Sequence, residues 1–131
     1  MSEGSRTIIT RLAEGGAIGA GLAVIPGTDT NKQAKLPAAA GDRAVGVTFV
    51  AADAAGKPLA VAVSGVVKAV AGGALAVGEP VRVHDTDGRF DLAAPSAGDN
   101  ANLVGFALTS AGADGDEFDL LICPSIMQTA D

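Results

Sequence analysis

A single histidine, a single cysteine and two acidic clusters are the side chains of this 131-residue chain equipped for chemistry. His84 stands in "VRVHDTDG", and a nucleophile-base pair would have to join it to Ser64 or Ser96. Neither serine lies in the Gly-x-Ser-x-Gly turn that exposes a nucleophile. One histidine also rules out a His-rich metal site and the familiar zinc spacings. Cys123, in "LLICP", has no partner for an intrachain disulfide and reads as a small buried hydrophobe. Asp85, Asp87 and Asp91 in "DTDGRFD", and Asp114, Asp116, Glu117 and Asp119 in "DGDEFD", are the carboxylates calcium favours. The fixed ligand positions and closing Glu of a calcium loop are absent from both, so they read as solvated turns. "GAIGAG" is followed by a strand-like run and has no Gly-Lys-Ser/Thr, which excludes a phosphate-binding loop. The sequence therefore offers no catalytic residue, no cofactor site and no metal site.

The elements that carry these residues follow from composition. Hydrophobic residues make up 48% of the chain but aromatics only 3%, with no Trp and no Tyr, so the core must be built from Val, Ala, Leu and Ile. Val and Ile suit a pleated surface better than a helix, and 18 Gly with 6 Pro supply many turns. An all-β fold is expected. No apolar window reaches membrane-spanning length, and "MSEGSRTIIT" has no signal-peptide core, which points to synthesis in the cytoplasm and no membrane partner. A net charge of -6 argues against nucleic acid as a partner. That charge is uneven. Residues 1–68 hold seven Lys/Arg against five Asp/Glu, whereas residues 69–131 hold two against ten. Complementary contact between subunits is one reading, with Lys57 and Lys68 as candidate contact charges.

The chain also repeats itself. "GDRAVGVTF" (41–49) is echoed by "GDNANLVGFAL" (98–108), so Gly41 answers Gly98 and Gly46 answers Gly105. "AIGAGLAVIP" (17–26) matches "ALAVGEPVRV" (74–83), pairing Gly21 with Gly78 and Val24 with Val81. Gly56 answers Gly115, and Val61 answers Leu120. The offset is 57 at Gly21/Gly78 and 59 from Gly46/Gly105 onward, so the second copy carries a two-residue insertion. Two such units, about 17–65 and 74–124, predict one pseudo-symmetric β body rather than a solenoid. Gly41, Gly46, Gly98 and Gly105 then mark structural turns and close strand approaches. "HDTDGRFDL" predicts a hairpin with an Asp-Gly type I′ turn. "RTIITRLAE" is compatible with a short helix or an edge strand.

Taken in order, "AIGAGLAVI", "AAAGDRAVGVTFVAADAAGKPLAVAVSGVVKAVAGGALAVGEPVRV" and "GRFDLAAPSAGDNANLVGFALTSAGADGDEFDLLI" resemble the capsid cement, or head decoration, proteins of tailed bacteriophages. The middle of the chain is similar to the smaller lambda-type decoration proteins. The resemblance covers roughly residues 15–124. It implies a compact β-barrel or β-clip (β-tulip) body over 15–131 and an extended N-terminal arm over 1–14. It further implies homotrimers on the outer surface of the head, at threefold and quasi-threefold positions, bound to the major capsid protein and bracing the shell against DNA pressure. Such a protein is no enzyme and binds neither nucleic acid nor membrane. The arm residues Arg6, Thr7, Ile8, Ile9, Thr10 and Arg11 would add a strand to a capsid sheet edge, so deleting residues 1–12 should leave the body folded. Two other classes stay open at this point. One is a lipoyl- or biotinyl-type carrier using Lys68 in "VSGVVKAVAGG"; the other is a glycan-binding module on the virion surface.

Overall fold

The computed structural model describes residues 7–28, 32–93 and 100–128, and these are all-β, with no helix among them. Nine strands follow in order: β1 (Thr7–Ala13), β2 (Ala23–Pro26), β3 (Gln33–Lys35), β4 (Gly46–Val50), β5 (Pro58–Val70), β6 (Pro80–Val83), β7 (Phe90–Leu92), β8 (Asn100–Ala107) and β9 (Glu117–Gln128). The sheet order is β1-β3-β2-β4-β5-β9-β8-β6-β7, and a further β1–β5 pairing closes the first five strands into a barrel.

The barrel interior holds Ala13, Ile18, Val24, Ala34, Ala52, Leu59 and Val61, all buried. Five strands enclose a narrow space that small and branched side chains fill, and this accounts for the poverty of aromatics. β1 is a stave of this wall. Ile8 to Leu12 pair antiparallel with Ala62 to Pro58 of β5, and Leu12 and Ala13 pair parallel with Gln33 and Ala34 of β3. The arm expected over 1–14 is therefore, from Thr7 to Ala13, part of the body. Alternation in "TIITRLA" sends Ile9 against the barrel core and Ala13 into it. Leaving this segment free would open the barrel between β3 and β5. The short-helix alternative for the same stretch falls with it.

The second unit repeats the first, strand for strand. Ala23↔Val47 and Val24↔Gly46 between β2 and β4 correspond to Pro80↔Phe106 and Val81↔Gly105 between β6 and β8. Val47↔Ala62 corresponds to Phe106↔Leu121. The isolated bridge Ile18↔Ala52 has its counterpart in Leu75↔Ala111, and the parallel β1–β3 pairing has one in Ala71↔Phe90. β5 belongs to both units. Its first half pairs with β1 and β4, and from Gly65 to Val70 it pairs with β9. Gly65, at φ +95°, sits where the strand changes partners, in a conformation costly for other residues.

The units share more than β5. Ala23, Val47 and Ala62, on the outer face of the barrel, are fully buried in a core with Val67, Val81, Val83, Phe90, Val104, Phe118 and Leu120 of the second unit. Phe90 and Phe118 meet edge to face there, ring centroids 6.3 Å apart at 82°. Both faces of the β5 run "LAVA" are thus covered, the alternation of Leu59 and Val61 against Ala62 separating two cores.

Two expectations change. The β6–β7 hairpin forms, with Val83↔Phe90 closing it, but no described residue other than glycine has positive φ. A type I′ turn needs positive φ at both central residues. Instead Gly88 donates to the Asp85 carbonyl at 3.1 Å, and Asp87 Oδ1 accepts the Arg89 N–H at 2.9 Å. Cys123 is exposed rather than buried, because it follows Leu121 on the outward side of β9 while Ile122 faces the core.

Candidate functional site

Of the acidic residues that might have gathered a cation, Glu117 is exposed and the aspartates are occupied in turns or ion pairs. Asp91 Oδ1 lies 3.0 Å from Arg82 Nε, and Asp114 Oδ1 lies 2.7 Å from Arg89 Nη1. Asp119 Oδ1 lies 2.8 Å from Lys68 Nζ. Asp116 Oδ2 accepts the N–H groups of Gly112 and Ala113, closing the turn before β9. No group of three or more metal-ligating side chains exists among the described residues. His84 Nδ1 approaches Asp87 Oδ2 at 3.4 Å without a hydrogen bond, its ring packed over Gly72. Ser64 Oγ accepts the Thr7 N–H at 3.3 Å and is spent on strand pairing; Ser96 lies outside the described residues.

The arm residues are held by β5. Ile8 and Thr10 face outward, Ile8 being 38% exposed, whereas half-buried Arg11 lines a cavity of about 130 Å³ together with Val45 and Val61. Its Nη1 donates to the Thr10 carbonyl at 3.0 Å. β3 joins β1 only at Leu12 and Ala13, which leaves the side of Thr7–Arg11 turned away from β5 without a strand partner among the described residues. Arg6 lies outside them.

The paired glycines are explained by space. A Cβ on Gly46 would meet the Ala62 carbonyl and stand 2.9 Å from Val61 Cγ1; one on Gly105 would meet the Leu121 carbonyl and stand 3.0 Å from the Cys123 nitrogen. Each glycine lets β4 or β8 lie directly against the next strand, and Gly105 borders a break in the β8–β9 register. Gly41 joins the units, donating to the Val83 carbonyl at 2.9 Å and accepting from Asn102 Nδ2 at 3.2 Å. Gly98 lies outside the described residues.

Of the two candidate contact charges, Lys57 is exposed at the start of β5, and Lys68 is engaged with Asp119 in its own chain. Lys68 stands within β5, not at a hairpin tip where a carrier domain presents its modified lysine. Sequence reasoning missed Thr48, the one polar side chain buried among the described residues. Its Oγ1 donates to the Gly19 carbonyl at 2.6 Å and accepts the Leu22 N–H at 3.0 Å, fastening the turn before β2 onto β4. A threonine inside an apolar run was the available signal.

Among the described residues the side chains equipped for chemistry are drawn into turns and ion pairs or stand apart, and no group of metal ligands forms. The sequence profile of the phage cement protein family matches residues 1–122, and the chain belongs to that family. Its fold is similar to the crystal structure of the head fiber gp8.5 N base of bacteriophage phi29, at 17% identity and a TM-score of 0.68. That likeness covers 94% of this chain and 98% of the other. No curated protein matches the sequence. The chain is a capsid-associated structural protein of a phage virion, not an enzyme.

Proposed function

We propose that the protein cements the expanded phage head from outside, as homotrimers at threefold and quasi-threefold positions. It would bind the major capsid protein and reinforce the shell against the pressure of packaged DNA, after synthesis in the host cytoplasm. The observation that carries this reading is the cement-family match over residues 1–122, nearly the whole chain. Arg6 to Arg11 are the proposed attachment segment. Its main-chain edge over Thr7–Arg11 suits strand addition, in which backbone hydrogen bonds provide affinity and alternating side chains fix register. Attachment by many copies multiplies modest single contacts, so no aromatic anchor is required.

Co-sedimentation of the purified chain with its cognate heads tests the proposal. Saturable binding to expanded heads, and not to compact precursors, is the expected result. Absence of binding to either form contradicts it.

A further inference from the structure

The pseudo-repeat sets two equivalent rows of side chains on the outer faces of the two units. In the first unit the row is Ala23, Val47 and Ala62, all at 0% exposure because the second unit lies on it. In the second unit the same register positions are Pro80, Phe106 and Leu121, and nothing among the described residues covers them to that degree. Pro80 and Phe106 are half-buried; Leu121 is 36% exposed and Leu108, just past the end of β8, is 43% exposed. The uncovered row carries larger apolar groups than the covered one. An apolar sheet face of this kind marks a contact with another protein surface.

Charge decides which surface. On the same outward side of β9 stand Glu117 and Asp119, with Asp114 and Asp116 in the preceding turn; Lys68 and Arg89 pair with Asp119 and Asp114, which leaves Glu117 and Asp116 as the unbalanced charge of this rim. Two copies meeting through this face symmetrically would oppose acidic rim to acidic rim, which disfavours the pair. The first unit is basic by comparison, and its β1 presents Ile8 and Leu12 outward, 38% and 36% exposed, with exposed Lys57 next to Pro58, the β5 partner of Leu12. We propose that the Pro80–Phe106–Leu121 face of one copy docks on the outer face of β1 of a second copy, beside Lys57. The contact is heterologous, head to tail, and closes into a ring. The proposal supplies the interface for the homotrimer of the preceding section and rests on that reading.

The full-length chain is tested alone, without heads, by sedimentation velocity and light scattering, so loss of self-association and loss of head binding are read separately. The wild type is expected to be oligomeric, and Leu121→Asp and Leu12→Asp each to weaken association by about tenfold or more while retaining a cooperative thermal transition. Mixing the two variants is the decisive step. A head-to-tail contact leaves one intact face on each, so the mixture forms a one-to-one pair that neither variant forms alone, and formation of that pair also shows that both are folded. A monomeric wild type, a Leu121→Asp variant with wild-type mass, or a mixture that stays unpaired overturns the proposal. A Leu121→Asp variant that keeps its oligomeric mass but no longer sediments with heads assigns this face to the capsid instead.

Discussion

At the scale of single residues, stability in this protein depends on backbone proximity more than on polar chemistry. Gly46 and Gly105 occupy positions where any Cβ strikes the carbonyl of the neighbouring strand. Replacing either with Val is expected to cost about 3 kcal/mol, the range of overpacking a close contact. A urea midpoint equal to wild type for either variant contradicts the close approach. Thr48→Val removes a donor and an acceptor from a buried site and leaves the Gly19 carbonyl and Leu22 N–H without that partner. A loss of about 2 kcal/mol, measured in the same way, is expected. The Lys68–Asp119 pair is different, since the lysine side chain is 70% exposed. Lys68→Ala should shift stability by less than about 1 kcal/mol, because surface ion pairs are screened and cost side-chain entropy.

At the scale of elements, the N-terminal strand carries the sharpest consequence. β1 lies between β3 and β5 and closes the barrel. Removal of residues 1–6 spares every described strand, and the truncated chain should melt as cooperatively as the full one. Removal of residues 1–13 deletes the stave, exposing Leu59, Val61 and the rest of the inner core. That truncation should abolish the cooperative thermal transition seen by circular dichroism; a retained transition would show that β1 is dispensable. The expectation that residues 1–12 could be cut without harm runs against the pairing of β1, for a physical reason. The alternation of "TIITRLA" is visible in the sequence, but its partner, Ala62 to Pro58, is far along the chain and leaves no local mark. The hairpin at "HDTDGRFDL" was legible because its turn residues are local, whereas the turn type was set by how Asp87 bonds to Arg89.

At the scale of the whole molecule, the duplication was the most legible feature, since close strand approach demands glycine at matching places in both units. How the units pack was not legible. Ala23, Val47 and Ala62 read as ordinary strand residues, and their burial comes from the second unit lying across the barrel's outer face. Membership of the phage cement family, with its structural role, is consistent with the chemistry-poor inventory of the sequence. Attachment to the head is tested by co-sedimentation with purified expanded and precursor heads. Saturable binding to the expanded form alone is predicted. Equal binding to both forms would contradict a site created by expansion, and absence of binding to either would contradict the cement function itself.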